Sequence, residues 1–171
     1  MMSGSAALAQ LNSNTATVTL NATLGESLTV AATPTTVNFT LVGGGVAAGS
    51  APVAITTSWV LAAGRANVVL DAYFSDPTQA LSGGSPVSYI PTSEVLGQMT
   101  TGTPTTYSAF TQTAALGSAG AGLTLFTQAL NSSNRSSSRT DNLDLEIDLS
   151  AQPQLPAATY IGTLTLQAQA L

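Results

Sequence analysis

Residues 15–24, Thr-Ala-Thr-Val-Thr-Leu-Asn-Ala-Thr-Leu, alternate polar and apolar side chains without interruption. Successive side chains of a β-strand point to opposite faces, so this strict period of two predicts a strand with one apolar face. The segment follows a start made of small residues, so it can pair either within its own domain or with a neighbouring subunit. Its apolar face consists of Ala16, Val18, Leu20, Ala22 and Leu24.

The rest of the chain repeats this alternation in short pieces separated by Gly, Pro and Asn. Strands are predicted at 27–32, 36–42, 52–62, 66–74, 107–113, 123–130, 142–149 and 160–171. Residues 59–74 are predicted to form a hairpin, 131–140 an exposed polar loop, and 75–106 a loop-rich stretch with one or two short strands. About eight to ten strands indicate an all-β fold, a single antiparallel sandwich (immunoglobulin-like or jelly-roll-like) with an N-terminal extension strand.

The chain of 171 residues shows no break in composition, so one domain is expected. Residues 1–9 are interpreted as a flexible start or the end of a signal peptide, because Ala7-Leu8-Ala9 has the small-x-small form of a cleavage site. Residues 10–24 form the candidate extension strand, and 25–171 the sandwich. No apolar run approaches the ~20 residues of a membrane span, so no membrane insertion is expected.

Charge is scarce: three basic and eight acidic side chains give a net charge of −5, and only 6% of residues are charged. Three arginines are too few to bind a phosphate backbone, so nucleic acid is not expected as a partner. The mean hydropathy of +0.29 argues against disorder. A polar surface built from Thr, Ser, Asn and Gln is typical of exported proteins, and we predict a secreted or cell-surface location.

Catalytic signatures are scarce as well. Without His, Cys or Lys, the common nucleophile–base pairs, His-ligated metal sites and Schiff-base chemistry are excluded. Asp144, Glu146 and Asp148 share one strand face at spacings of roughly 7 Å. We interpret them as a solvent-facing row that deters edge pairing, with a calcium site that includes Asp141 as the less favoured alternative. No enzymatic activity and no cofactor are predicted.

Two other features have competing interpretations. Trp59, the only tryptophan, can anchor the core between two sheets or serve as a platform for a sugar ring, and the core role is the commoner one. Arg135 and Arg139 precede the acidic strand, so a local ion pair with Asp141 or Asp144 is expected.

The end of the chain, Leu155-Pro-Ala-Ala-Thr-Tyr-Ile-Gly-Thr-Leu-Thr-Leu166, resembles the closing strand of bacterial surface β-domains. It is similar to the Pro-Ala-Gly-Thr-Tyr-x-x-Thr-Val-Thr-Val ending of spore-coat-U-type and chaperone–usher pilin subunits, although Ala158 stands where that family usually has Gly. The resemblance implies an incomplete immunoglobulin-like sandwich that is completed by the N-terminal strand of the next subunit, a process called donor-strand exchange.

The leading hypothesis is therefore a non-enzymatic subunit of an extracellular filament or pilus that polymerises head to tail with itself. Its donated strand lies within residues 10–24, and its interface residues are the apolar face of that strand. The alternative is a monomeric carbohydrate-binding or adhesive module that uses Trp59, Tyr73 and the loops of 75–106 to bind a surface glycan. A capsid-like jelly roll ranks last, because the chain has so few basic residues.

Overall fold

The structure is a computed structural model that describes residues 13–171. Nearly all of its regular structure is β-strand, and every strand pairing within it is antiparallel, which confirms the predicted all-β class and is consistent with a β-sandwich. A short 3₁₀ helix covers Thr92–Glu94. The strands are β1 Ser27–Thr33, β2 Val46–Ala48, β3 Val53–Val60, β4 Asn67–Tyr73, β5 Leu81–Gly83, β6 Ser88–Ile90, β7 Val95–Met99, β8 Ser108–Ala109, β9 Gly122–Ala129, β10 Ser136–Asp148, β11 Tyr160–Ile161 and β12 Thr165–Ala170.

The first layer is a sheet in the order β1-β3-β10-β7-β8, with β2 beside the second half of β10. The long strand β10 organises this layer, because its first half pairs with β3 and its second half with β7 and β2. The other strands form two three-stranded sheets, β12-β4-β9 and β11-β5-β6. β11 and β12 are consecutive pieces of the last segment of the chain.

The alternating apolar side chains from most of these strands meet in one continuous core. Ile55 and Leu143 from the first sheet and Leu70 and Leu123 from the second are fully buried. Full burial of such a side chain contributes about 1.5–3 kcal/mol, so the inward faces fix how the strands are arranged. No helix within residues 13–171 is long and apolar enough to cross a membrane.

Strand register defines two ends of the domain. Ser27, Val60 and Ser136 are aligned across three strands at the end from which the N-terminal segment leaves, which we call the exit end. β1 and β10 both run away from it. Asp148, aligned with Val46, lies at the opposite end of the domain, which we call the groove end.

Several local predictions were wrong. Residues 59–74 do not form a hairpin, because β3 and β4 belong to different sheets and the exposed connection between them passes from one sheet to the other. Both strands bury one face in the core, so their alternation looks the same as that of a hairpin. Ser136–Thr140 is strand rather than loop; its outward side chains are small hydroxyls that resemble a polar turn in sequence. Residues 36–42 form only an isolated bridge, between Phe39 and Gly49.

Candidate functional site: an unpaired strand and an open groove

The N-terminal segment 13–24 takes part in no strand pairing with residues 13–171 and is exposed along its whole length. Val18, Leu20 and Leu24 are 83%, 89% and 85% exposed, and Ala16 and Ala22 on the same face are exposed too. Residues 1–9 and the first part of the candidate strand, 10–12, lie outside the described residues. An apolar strand face without a partner in its own fold would gain free energy if another surface covered it.

An apolar groove of about 870 Å³ opens on the same domain. Its two walls are residues 34–41, which continue from β1, and residues 158–166, which include β11 and the start of β12. Its floor is made of core side chains such as Phe74, Leu145 and Ile147, and no charged side chain lines it. The groove therefore has the chemistry of a site for an uncharged apolar chain.

Both walls offer backbone edges that are unpaired among the described residues. Within residues 13–171, β11 pairs with β5 alone and β12 with β4 alone, so each has one edge without a strand partner there. On the other wall, Asn38 bonds Ser50 through its carbonyl oxygen at 2.9 Å and through its N–H at 3.0 Å. Backbone groups of successive extended residues point to alternate sides, so those of Val37 and Phe39 point away from Ser50, and both residues line the groove. Free edges flanking an apolar floor are what an added β-strand requires.

The segment and the groove match in length and in charge. In extended conformation, the distance along the chain from Ala16 to Leu24 is about 27 Å, and the length of the wall from 34 to 41 is about 24 Å. Residues 13–24 contain no charged side chain. The uncharged strand thus fits an uncharged groove of nearly the same length.

A hydrogen-bonded clasp holds the root of the segment at the exit end. Glu26 Oε1 accepts bonds from the N–H of Ala62 at 2.8 Å and from Arg65 Nε at 3.2 Å, and Oε2 accepts one from Arg65 Nη2 at 3.2 Å. The same arginine donates to the carbonyl oxygen of Ala170 at 3.3 Å. The bonds from Arg65 and from the Ala62 N–H lower the pKa of Glu26.

Trp59 is a core residue. It is only 4% exposed, and its indole N–H donates to the carbonyl oxygen of Asn134 at 2.8 Å. Tyr73, the other aromatic residue of the glycan alternative, lies in the second sheet and donates its hydroxyl to Gln167 Oε1 at 2.7 Å. The fold does not bring these two rings together as a platform, and buried Trp59 has no free face for a sugar.

The acidic residues separate onto two faces of β10. Asp144, Glu146 and Asp148 are half-buried on the outer face, as the alternation predicts, whereas Asp141 is 2% exposed and faces the core. Asp141 therefore does not join the candidate calcium site. Within residues 13–171, no group of three or more His, Cys, Asp or Glu side chains is arranged to hold a metal ion.

The ion pair that forms is Arg139 with Asp141. Arg139 Nε and Nη2 reach the two carboxylate oxygens at 2.6 and 2.5 Å, and Thr101 donates a further bond at 2.6 Å. The guanidinium also lies 4.2 Å from the centre of the Phe126 ring. Arg135 instead donates to the carbonyl oxygens of Ala62 and Arg65. One of the expected local pairs is thus present, and it lies inside the sandwich.

No protein-family model, no curated protein and no solved structure matches the chain. The function is therefore inferred from the groove and the unpaired strand.

Glu94, beside the groove end, is a buried carboxyl whose ionisation makes the stability of the domain depend on pH. Its side chain is buried, and its Oε2 atom makes no hydrogen bond within residues 13–171. Burial raises its pKa, a hydrogen bond with Gln152 opposes this, and the Asp148 charge raises it further; the net direction is upward. A carboxyl with a raised native pKa favours folding at low pH and loses that contribution as the pH rises through the native pKa.

We therefore expect Glu94→Gln to raise the free energy of unfolding by about 1 kcal/mol at pH 7 and to change it little at pH 4. Urea denaturation at both pH values measures the difference. Glu146→Gln, on the outer face of β10, serves as the control. An equal gain from Glu94→Gln at both pH values would contradict the assignment.

Proposed function

We propose that this chain is a structural subunit of an extracellular filament, in which residues 13–24 of one copy fill the groove of the next. One observation carries the proposal: the same chain has an exposed segment with an alternating apolar face and an open groove that agree in length and in the absence of charge. Strand addition of this kind draws affinity from main-chain hydrogen bonds and specificity from the pockets for alternate side chains.

The positions of the two elements favour exchange between copies. The segment leaves at the exit end, next to Ser27, whereas the groove begins at Ala32, near the other end of β1. About 17 Å of β1 separates these points. To reach its own groove, the segment would have to reverse at Gly25-Glu26 and run alongside β1 for about five residues, so Leu20 and Leu24 would lie beside β1 and outside the groove.

The direction of the added strand follows from the same geometry. If the donated strand runs parallel to wall 34–41 and antiparallel to β11, it leaves the acceptor at the groove end and enters its own domain at the exit end. All subunits then share one orientation along a common axis. Such a head-to-tail contact does not close on itself and generates a filament.

The energetics place a single joint close to balance. Burial of Val18, Leu20 and Leu24 contributes roughly 5–9 kcal/mol at ~1.5–3 kcal/mol each, whereas association costs about 4–15 kcal/mol. Backbone hydrogen bonds along both walls and the two alanines add to the favourable side. A durable joint therefore benefits from further contacts between neighbouring subunits.

Deletion of residues 1–24 tests the proposal. We expect the truncated protein to stay monomeric by light scattering and to give no filaments in electron micrographs. A synthetic peptide of residues 13–24 should bind it one to one and raise its melting temperature by mass action. A peptide with Val18, Leu20 and Leu24 replaced by serine is the matched control and should not bind. Normal assembly of the truncated protein would refute the proposal.

A further inference from the structure

We infer that opposite charge at the two ends of the domain orients one subunit towards the next before the strand is inserted. This inference rests on the proposed function and names the surface of the second copy that meets the groove end, namely its arginine-bearing exit end.

All three arginines lie in the exit half of the domain. Arg65 follows β3 and bonds Glu26, Arg139 is aligned with Thr57 of β3, and Arg135 bonds two backbone carbonyl oxygens at 2.7 and 2.9 Å. Arg65 and Arg139 each have a carboxylate partner. The charge of Arg135 has none in its hydrogen bonds, so the side chains of the exit half together carry one net positive charge.

The groove half carries only carboxylates. Three of them lie on β10, where Asp144, Glu146 and Asp148 are aligned with Gln98, Leu96 and Val46. Glu94 directly precedes β7. Asp76 is next to Pro77, whose carbonyl oxygen accepts a hydrogen bond from the N–H of Thr92. These five acids have no basic residue among them. The eighth acid, Asp71, is fully buried between the two halves. The negative charge is thus concentrated in the groove half of the domain.

The separation is long on the scale of this domain. From Arg135 to Asp148 the chain advances thirteen residues, about 43 Å. A head-to-tail encounter brings the positive half of one copy to the negative half of the next, whereas two groove ends repel each other. Complementary potentials of this kind raise association rates by about 10- to 1,000-fold at low salt, and salt screens them.

The groove and the donated strand cannot supply this orientation themselves, because neither carries a charge. Charge on the surrounding surface can raise the frequency of correctly oriented encounters, which raises the association rate. The charges bring the exit end of one copy to the groove end of the next, and strand exchange requires the same orientation.

Two variants with the same net charge separate orientation from simple repulsion. Ser136→Lys with Ser138→Lys adds two positive charges on exposed positions of the exit half, and Asp144→Asn with Glu146→Gln removes two negative charges from the groove half. At low salt we expect the lysine variant to assemble at least about tenfold faster than the neutralised variant, with the ratio falling towards one at about 1 M salt. Equal acceleration in both would show that total charge alone matters and would overturn the inference.

A peptide-binding experiment distinguishes failure of this inference from failure of the proposed function. Full-length subunits carrying Leu20→Asp, which prevents donation but leaves the groove intact, serve as acceptors in both charge backgrounds. The uncharged peptide of residues 13–24 should bind both acceptors at the same rate. Peptide binding together with equal assembly rates overturns only the charge inference. A peptide that binds neither acceptor overturns the proposed function and this inference with it.

Discussion

Leu20→Asp is expected to abolish filament assembly, whereas Thr19→Asp, one residue away, is expected to leave assembly close to normal. Leu20 lies on the apolar face of the segment and is 89% exposed, so the change leaves the fold of the subunit intact. In the groove the new carboxylate would be buried among uncharged side chains, at a cost of several kcal/mol. Each 1.4 kcal/mol is about tenfold in affinity, so we expect a loss of at least about a thousandfold.

Thr19→Asp is the matched control, because it adds the same charge to the opposite face of the same strand. That face points away from the groove floor. Sedimentation velocity and electron microscopy measure assembly, and thermal denaturation confirms that both variants fold. Equal assembly by the two variants would mean that the apolar face of residues 15–24 does not enter a groove.

The second large effect is expected from Arg139→Met, which leaves Asp141 without its cation. Because Asp141 is 2% exposed, an uncompensated buried carboxylate results, at a cost of about 3–5 kcal/mol. The free energy of unfolding of a typical domain is about 5–15 kcal/mol, so this loss is a large share of it. The double variant Arg139→Met with Asp141→Leu should recover most of the loss, since a buried ion pair replaced by apolar residues of similar size is often neutral.

The same pair makes stability depend on acid pH. Burial acts to raise the pKa of Asp141, but the hydrogen bonds from Arg139 and Thr101 and the arginine charge outweigh it and lower the pKa. A depressed native pKa contributes stability above the unfolded value of about 3.9, and that contribution is lost as the pH falls through the native pKa. Urea denaturation between pH 2 and 7 should therefore show a steeper acid loss in the wild type than in the double variant. Parallel curves would contradict the assignment.

The sequence predicted the strands well where alternation is strict and failed where the partner of a strand mattered. The pattern of residues 27–32 gave β1 almost to the residue, because period-two alternation reports which face is buried. It does not report which strand lies alongside, so the alternation of residues 59–74 suggests a hairpin that the structure does not contain. For the same reason the sequence predicts a strand at 15–24 without identifying its partner, and within residues 13–171 this segment forms no strand.

The groove could not be found from the sequence. Its walls, around Val37 and Tyr160, are separated by most of the chain and become neighbours only when both sheets have formed. The inward position of Asp141 did have a signal, since it shares its strand parity with Leu143, Leu145 and Ile147. Composition obscured that signal, because an acidic residue next to a Ser-rich run suggests a solvent-exposed loop.

The clasp at Glu26 determines how a filament of this design would respond to tension. A pull along the axis enters each domain at Ser27, in line with β1, whose seven residues pair with β3. Force parallel to an antiparallel ladder loads its hydrogen bonds together, in shear, so they cannot be unzipped one at a time. Because Arg65 also bonds the carbonyl oxygen of Ala170, part of the force passes directly into the other sheet. The donated strand lies along the same axis, so tension would load the ladders of the joint and the β1–β3 ladder of the subunit in the same way, in shear.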